Sequence, residues 1–335
     1  MKKFRAAIIG CGGIAGVHEQ VLSESGNCEI AACVDIIPER AKEMAARIGC
    51  PAYTDMQEML EKVHPDTVHI CTPHYLHVQQ IKAAAEKEIA VFSEKPPAVN
   101  REQWEELQKL SEKVPIGICF QNRYNPNVEK AEEILRTGTL GPVAGVRSFM
   151  TWRRDAGYYS DEWHGKWATE CGGALINQAI HTLDLTVRFL GKPDTAEASM
   201  QNHHLRGITE TEDTVELFLT SGEKRGLLYG SCAYVTDEPV VIDIRTEKGN
   251  IRLERDILEI QTAEGKERFV FPEDPKLGKS YWGAGHKRCI NDFYRSLTDG
   301  KPYRNDVASC VNTMSVLLAA YDQNRQKLQK ERTRI

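Results

Sequence analysis

The sequence predicts a two-domain chain, an α/β domain with a doubly wound parallel sheet followed by an α+β domain with a large, mostly antiparallel open sheet. The length of 335 residues exceeds that of a typical single domain. Short apolar runs alternate with helix-like stretches as far as residue 122, which is typical of parallel strands covered on both faces. Beyond it, strand-like stretches follow one another through short turns, which indicates antiparallel pairing. We therefore expect domains at residues 1–122 and 123–335.

The first domain alternates regularly between strands and helices. Strands are predicted at residues 4–9, 29–34, 67–71, 89–93 and 115–120, and helices at 14–25, 38–48, 56–63, 75–88 and 101–113. Pro38 suits a first helical turn and Asp55 suits a helix N-cap. The strands read as continuous apolar runs, so both faces of the sheet are expected to be buried.

The second domain mixes helices with consecutive strands. Helices are predicted at residues 127–136, 173–190, 282–298 and 306–330, and strands at 143–152, 194–203, 211–220, 225–235, 240–246, 249–255 and 265–271. A segment rich in Trp and Tyr, residues 153–171, has no clear period. Turn dipeptides such as Ser221-Gly222 and Gly249-Asn250 separate the strands.

Composition excludes several classes of protein. The chain is 41% hydrophobic and 27% charged, which rules out extensive disorder. A net charge of −5 and a pI near 6.1 provide no basic surface, so no nucleic-acid partner is expected. No apolar run approaches the length of a membrane-spanning helix, so no membrane association is expected.

The cysteines indicate a reducing environment. Ten are scattered along the chain without a C-x-x-C pair, so neither a zinc ribbon nor a thioredoxin-like redox pair is predicted. Glycines interrupt the apolar N-terminal segment, which therefore reads as a strand and turn rather than as a signal peptide. We expect a cytoplasmic location.

A glycine-rich segment between the first strand and the first helix carries the clearest chemical signal. Gly10-Cys11-Gly12-Gly13-Ile14-Ala15 reads G-x-G-x-x-A, and such glycines let backbone N–H groups approach a pyrophosphate at a helix N-terminus. The motif has the required strand before it and helix after it. A tight turn without a ligand is the alternative. The residues predicted to bind the cofactor here are Gly10, Gly12, Gly13 and Ile14.

An acidic residue follows at the end of the second strand. Asp35 lies 22 positions after Gly13, close to the roughly 20 expected for the residue that bonds the ribose hydroxyls. Its carboxylate would repel a 2′-phosphate, which favours NAD over NADP. Arg40 could also reach this region, so NADP is the less favoured cofactor.

Two further segments contain candidate catalytic residues. Lys95 follows the strand at 89–93, where the carboxyl end of the sheet would place it beside a nicotinamide; a solvated lysine is the alternative. Asn177, His181 and Asp184 have the i, i+4, i+7 spacing of one helix face. A hydrogen-bonded core histidine is the alternative for His181.

The order of the motifs resembles one known family. Pro73-His74-Tyr75-Leu76-His77, Glu94-Lys95-Pro96, Asn122-Arg123-Tyr124-Asn125-Pro126, Gly172-Gly173…His181…Asp184 and Gly283…His286…Asp292-Phe293 occur in the order of the glucose-fructose oxidoreductase / inositol dehydrogenase (Gfo/Idh/MocA) family. The resemblance implies a Rossmann domain followed by a substrate-binding domain. It also implies NAD-dependent oxidation of a sugar, a cyclitol or a derivative such as a nucleotide sugar.

The resemblance also implies roles for particular residues. Lys95 matches the active-site lysine and His181 the histidine that approaches the substrate hydroxyl. Positions that line the dinucleotide cleft are Thr72, Pro73, His77, Glu94, Lys95 and Asn122, and positions expected to contact substrate are Arg123, Tyr159, Trp163, Trp167, Asn177 and His181. The tryptophans alternatively cover the edge of the core. The Lys95-Pro96 peptide is expected to be cis.

One residue departs from the family pattern. Many relatives have Asp four residues before the histidine, whereas this chain has Asn177. A carboxylate there would stabilise a protonated His181, and a neutral amide does not. We therefore expect shared duty, in which neutral His181 contacts the reacting hydroxyl and Lys95 bonds the same oxygen.

Two other functions are compatible with the same motifs. An NAD-dependent glycoside hydrolase with transient oxidation, or a cofactor-binding regulator without catalysis, are the alternatives to a dehydrogenase. A metal site is not expected, because His74, His77, His203 and His204 lack a neighbouring carboxylate or cysteine cluster in the sequence. A homodimer or homotetramer is expected, since one face of the antiparallel sheet would otherwise be open.

Overall fold

The computed structural model of the chain describes residues 3–271 and 285–332. Its helices are α1 (Ala15–Glu24), α2 (Pro38–Ile48), α3 (Met56–Val63), α4 (His77–Ala85), α5 (Arg101–Ser111), α6 (Pro126–Thr137), α7 (Ile180–Leu190), α8 (Gly285–Asp299) and α9 (Val311–Arg332). Its strands are β1 (Phe4–Ile9), β2 (Cys28–Val34), β3 (Ala52–Tyr53), β4 (Thr67–Ile70), β5 (Ala90–Ser93), β6 (Ile116–Ile118), β7 (Val143–Thr151), β8 (Thr195–Gln201), β9 (Thr214–Ser221), β10 (Lys224–Ser231), β11 (Val241–Thr246), β12 (Gly249–Glu254), β13 (Ile257–Thr262) and β14 (Lys266–Val270). No described helix is both long enough and apolar enough to cross a membrane.

The first compact unit consists of residues 3–121 and 285–310 of the described chain. Its sheet has the strand order β3-β2-β1-β4-β5-β6, and the paired strands are parallel. The strand order reverses between β1 and β4, which is where ligands bind in open α/β sheets. Every residue of β4 and β5 is buried, as expected for strands covered on both faces. The predicted doubly wound sheet is confirmed.

Helix α8 belongs to this first unit, although the sequence division assigned it to residues 123–335. Its apolar face contains Phe293 and Tyr294, which are at most 1% exposed. The centroid of the Phe293 ring lies 5.3 Å from that of the Phe92 ring, and the centroid of the Tyr294 ring lies 5.4 Å from that of the Phe4 ring. The single boundary near residue 122 therefore needs a correction, because an amphipathic helix after the second sheet completes the first core.

The second unit consists of residues 122–271 and 311–332 of the described chain. Its sheet has the order β14-β13-β12-β11-β7-β10-β9-β8, in which only the β7–β10 pair of the described strands is parallel. Helices α7 and α9 pack on this sheet. Burial alternates along β9, where Leu217 and Leu219 are buried while Phe218 is 57% exposed. The predicted mostly antiparallel sheet is confirmed.

Two elements of the second unit differ from the sequence expectation. Strand β13 was not predicted, because the turn before it has no Gly or Asn; Arg255 instead adopts a φ of 51°. The helix predicted at 173–190 begins later, since residues 174–178 form a wider π-helical turn before α7. Gly283, part of the C-terminal motif, lies outside the described residues.

A buried carboxylate holds that π-helical turn in place. Glu212 Oε1 accepts hydrogen bonds from the N–H groups of Gly173 (3.0 Å) and Leu175 (3.1 Å) and from the Tyr321 hydroxyl (2.7 Å). A Cβ on Gly173 would lie 2.2 Å from the Glu212 carbonyl oxygen, so only glycine fits there. Burial raises the pKa of the Glu212 carboxyl to about 7, although its hydrogen-bond donors oppose the change.

The raised pKa of Glu212 predicts a pH-dependent stability. The folded protein keeps a proton up to pH about 7 that the unfolded chain releases near its ordinary pKa of 4.5, so stability is present below 4.5 and lost as pH rises to 7. The loss is up to about 3 kcal/mol. Glu212→Gln keeps an acceptor oxygen but does not titrate. The free energy of unfolding in urea should therefore rise relative to that of the wild type as the pH increases from 5 to 8.

The matched control is Glu105→Gln, the same chemical change at an exposed position of α5. Its free energy of unfolding should have the same pH dependence as that of the wild type between pH 5 and pH 8. Parallel unfolding curves for wild type and Glu212→Gln across this range would contradict the prediction.

Candidate active site

The glycine-rich turn lies at the carboxyl end of β1, beside the point where the strand order reverses. Gly10 has a φ of +86°, and a Cβ there would lie 2.8 Å from the carbonyl carbon and oxygen of Cys71. Only glycine therefore lets the turn after β1 lie against the loop after β4. Added Cβ atoms on Gly12 and Gly13 would meet nothing within 4 Å, so open space adjoins the start of α1. No side chain caps this helix, which suits a pyrophosphate.

Asp35 is fixed by the same turn. Its Oδ2 accepts a hydrogen bond from the Cys11 N–H and its Oδ1 one from the Ile37 N–H, both at 2.8 Å. A carboxylate has about four acceptor positions, so two remain for ribose hydroxyls. Arg40 is exposed. The open glycine turn and the fixed carboxylate fit an NAD adenosine half, and Gly10, Gly12, Gly13, Ile14 and Asp35 would hold it.

The loop after β4 is braced from within. The Thr72 hydroxyl donates to Gln80 Oε1 at 2.6 Å. The His77 ring is fully buried, and its nitrogens lie 2.8 Å from the Thr72 carbonyl oxygen and 3.0 Å from that of Pro96. Burial lowers the pKa of His77. We therefore revise its role from cofactor contact to support, because the ring joins the loop at Thr72-Pro73 to the one at Lys95-Pro96.

Glu94 and Lys95 follow β5 directly. Lys95 is half-buried, its backbone N–H lies 3.3 Å from Glu94 Oε2, and the Lys95-Pro96 peptide is cis, as expected. Glu94 is buried. Burial by itself opposes its ionisation, but the His18 hydrogen bond and nearby positive charge, Lys95 included, hold the pKa of Glu94 well below its ordinary range.

A chain of buried side chains runs from Glu94 through the first unit. His18 Nε2 lies 3.1 Å from Glu94 Oε1, His18 Nδ1 lies 2.8 Å from His69 Nδ1, and His69 Nε2 lies 2.8 Å from the Tyr294 hydroxyl. The Thr67 hydroxyl follows at 2.9 Å. Burial lowers the pKa of His69 well below its ordinary value. Only the end of this series at Glu94 has a fixed direction, because a carboxylate accepts and His18 Nε2 must therefore donate to it.

The same region contains the atoms of a possible metal site. His18, Glu94 and Cys119 bring three ligand atoms within 4.8 Å of one another. A metal would need a thiolate, yet burial raises the pKa of Cys119 well above its ordinary value. The His18 N–H is also donated to Glu94. These protonation states favour a hydrogen-bonded cluster.

His181, the predicted catalytic histidine, and the residues near Asn177 lie in the second unit. His181 is half-buried at the start of α7. Asn177, in the π-helical turn, donates from Nδ2 to Glu170 Oε1 at 2.5 Å and to the Tyr158 hydroxyl at 3.3 Å. Gln178 Nε2 donates to the same hydroxyl at 3.0 Å. Glu170, Tyr158 and Gln178 thus surround the predicted substrate residue Asn177.

Three predicted aromatic contacts lie in the segment before this turn. Tyr159 is 7% exposed, and no described group hydrogen-bonds its buried hydroxyl. The centroids of the Trp163 and His164 rings are 3.7 Å apart. Trp167 Nε1 donates to the Glu210 carbonyl oxygen at 2.9 Å. Both tryptophans are half-buried. A partly exposed aromatic ring and an unsatisfied hydroxyl suit sugar binding.

Arg123 does not have the position expected of a substrate contact. Its guanidinium is 1% exposed and donates to both carboxylate oxygens of Asp184, at 2.7 Å and 2.6 Å. The Thr313 hydroxyl completes the buried group. Arg123 is therefore corrected to a structural residue, and Asp184 faces the core rather than sharing an accessible face with His181. Asn122 has a buried Oδ1 that no described group bonds, and its role as a cofactor contact stays a prediction.

The sequence did not identify His18 or Glu170, and the family resemblance gave Tyr158 only as the start of a segment, 158–167, expected near the nicotinamide and the substrate. His18 gave one usable signal, because it is a polar residue on the buried side of α1, next to Val17 and Val21. Glu170 and Tyr158 lie in the segment without a period, where sequence spacing gives no indication of which side chains meet.

Comparisons with known proteins agree with this architecture. Residues 4–116 match the oxidoreductase family domain described as an NAD-binding Rossmann fold, and residues 128–252 match the GFO/IDH/MocA C-terminal domain. The chain is 30% identical over 212 residues to D-glucoside 3-dehydrogenase of Escherichia coli (strain K12), covering 61% of this chain and 58% of that protein. It is 29% identical over 186 residues to the rhizopine catabolism protein MocA of Rhizobium meliloti, covering 55% and 56%. The matches thus span little more than half the length of these curated relatives.

A solved structure extends the likeness to almost the full chain. The WlbA dehydrogenase from Bordetella pertussis, in complex with NADH and UDP-GlcNAcA, is 25% identical and has a TM-score of 0.86, covering 97% of this chain and 96% of that one. Two successive domain matches and a full-length fold match lead to one conclusion. The chain belongs to the Gfo/Idh/MocA family of oxidoreductases, with an NAD-binding Rossmann domain at its N-terminus.

Proposed function

We propose that this protein is an NAD-dependent dehydrogenase that oxidises a secondary hydroxyl of a sugar, a cyclitol or a sugar derivative such as a nucleotide sugar, or reduces the matching ketone. The observation that carries the proposal lies in the first unit. Lys95 follows β5 at the carboxyl edge of the same sheet whose β1 and β2 ends provide the open glycine turn and Asp35. A cationic side chain at that edge suits a reaction in which charge develops on a substrate oxygen.

The relatives support this class of substrate. One of them is a D-glucoside 3-dehydrogenase, and another is a dehydrogenase whose structure contains NADH and UDP-GlcNAcA. Neither the described residues nor these relatives favour a glycoside hydrolase or an inactive regulator.

Each candidate residue has a distinct proposed role. NAD, when bound, supplies the hydride acceptor. Lys95, held beside the Glu94 anion, donates a hydrogen bond to the reacting oxygen and stabilises its developing charge. His181, neutral, accepts the hydroxyl proton, and Asn177 bonds a further hydroxyl of the sugar. Tyr159, Trp163 and Trp167 are the proposed aromatic contacts, and Gly10, Gly12, Gly13, Ile14, Asp35, Thr72, Pro73, Glu94 and Asn122 the cofactor contacts.

The catalytic assignment predicts the loss of turnover in two variants. A screen of aldoses, polyols, uronic acids and nucleotide sugars, in both directions and followed by NADH absorbance, identifies the substrate. Lys95→Ala and His181→Ala should then each lower kcat at least about 100-fold, because each removes a positioned proton-handling group. Calorimetric NAD affinity should be unchanged.

The matched controls are Lys113→Ala and His204→Ala, which remove the same residue types at exposed positions. They should retain wild-type kcat. Near-normal turnover of both active-site variants would contradict the assignment, and release of an aglycone without net NADH would indicate the hydrolase instead.

Asp35 predicts the choice of cofactor. Its carboxylate faces the ribose-binding position, so we expect NAD to bind at least tenfold more tightly than NADP, about 1.4 kcal/mol. Calorimetric titration measures both affinities. Arg40→Ala should weaken NADP alone, since this exposed cation is the group that would attract a 2′-phosphate. Equal or tighter binding of NADP to the wild type would contradict the prediction.

The sheet of the second unit predicts self-association. On its β9–β10–β7 region, Phe218 is 57% exposed and adjoins Leu227, which is followed on the same face by Tyr229 opposite Phe149. A patch of this kind on a soluble chain is typical of an interface. We expect a homodimer or homotetramer. Light scattering at micromolar concentration should give a multiple of 37.7 kDa, and a monomer mass would overturn this proposal.

A further inference from the structure

A fully buried carboxylate lies beside Asn177 in the second unit. Glu170 has no exposed surface. Its Oε1 accepts a hydrogen bond from Asn177 Nδ2 at 2.5 Å, and its Oε2 accepts one from the Gly165 N–H. Burying a carboxylate is costly unless hydrogen bonds compensate, so the amide of Asn177 is part of what lets Glu170 remain in the interior.

Both oxygens of the Glu170 carboxyl group accept hydrogen bonds from N–H groups. Burial raises the pKa of Tyr158 and of Tyr159, and the negative charge of Glu170 raises both further. The Tyr158 hydroxyl also lies 3.3 Å from Asn177 Nδ2. An amide nitrogen has two hydrogens, so Glu170 and Tyr158 together fix which way the Asn177 amide faces.

We propose that Glu170 is a positioning residue: its buried carboxyl group accepts from the Asn177 amide and thereby orients that amide for a substrate hydroxyl, which requires a hydrogen-bond donor at position 177. This inference rests on the proposed function, in which Asn177 contacts the sugar. It also explains why an amide occupies the position four residues before His181: a carboxylate there would face Glu170.

The geometry gives each substitution a distinct consequence. In Asn177→Asp two carboxylates would lie about as close as the present 2.5 Å contact, and such a pair shares one proton. In Glu170→Gln an amide N–H faces either the Asn177 Nδ2 or the Gly165 N–H, so donors oppose each other. The double variant E170Q/N177D restores the match, because Gln Oε1 accepts from Gly165 while Gln Nε2 donates to the new carboxylate.

Melting of the ligand-free protein between pH 5 and pH 9 tests the pairing. Asn177→Asp should melt at least about 5 °C below wild type at pH 8. The deficit should shrink toward pH 5, because the folded pair holds a proton that the unfolded chain releases and stability falls as pH rises through the raised pKa. Glu170→Gln should also lower the melting temperature, and E170Q/N177D should regain most of the loss.

Kinetics with the best sugar from a panel of methyl β-D-glucoside, myo-inositol and UDP-glucuronic acid tests the positioning role. Glu170→Gln should raise KM for the sugar at least about fivefold, about 1 kcal/mol, while NAD affinity stays unchanged. The double variant is compared by melting alone, because it also replaces Asn177, a proposed substrate contact. Glu162→Gln, an exposed neighbour in the same segment, is the matched control and should alter neither melting nor KM.

The two measurements separate this inference from the proposed function. Additive losses in the double variant, or a melting deficit of Asn177→Asp that does not change with pH, overturn the pairing. An unchanged KM for the sugar in Glu170→Gln overturns the positioning role. Absence of turnover by the wild-type protein across the wider screen contradicts the proposed dehydrogenase, whereas the melting of the four proteins still decides the pairing.

Discussion

The Glu94 carboxylate is the group on which the cleft of the first unit depends. It only accepts hydrogen bonds, so every neighbour must donate to it, and its partners come from separate elements. His18 belongs to α1, which begins at the glycine turn, and the Lys95 N–H belongs to the loop after β5. The same series of hydrogen bonds continues through His69 of β4 to Tyr294 of α8. One buried anion thereby joins the glycine turn to the proposed catalytic loop.

The second unit uses buried carboxylates under a glycine-rich turn, but in a different electrostatic setting. Glu212 has only neutral donors, backbone N–H groups and a hydroxyl, and burial raises its pKa to about 7. Glu94 is equally buried, yet the His18 hydrogen bond and nearby positive charge hold its pKa low. The two sites differ in their donors: a histidine and a nearby lysine adjoin Glu94, whereas backbone N–H groups and a hydroxyl donate to Glu212 Oε1.

The sequence could predict those parts of the structure that follow from periodicity and turn chemistry. The alternation of apolar runs and helices predicted the parallel sheet of the first unit. The glycine turn together with Asp35 predicted which edge of that sheet has the features of a nucleotide site. Strand β13 was missed because the non-glycine residue Arg255 takes a left-handed conformation, which no sequence pattern indicates. Arg123 and His77 were misjudged because motif position does not reveal burial. Glu170 was invisible for the same reason: its role exists only once the chain folds it against Asn177.

The return of α8 to the first unit has a consequence for the order of folding on the ribosome. His69 and the Tyr294 hydroxyl that bonds it are 225 residues apart, and the whole described sheet of the second unit lies between them. Domains usually complete themselves from the N-terminus as the chain emerges. Here the nascent first unit retains Thr67 and His69 with a missing hydrogen-bond partner until nearly the entire chain has been made. The packing of α8 in the first unit is therefore completed late in synthesis, after the described sheet of the second unit has emerged.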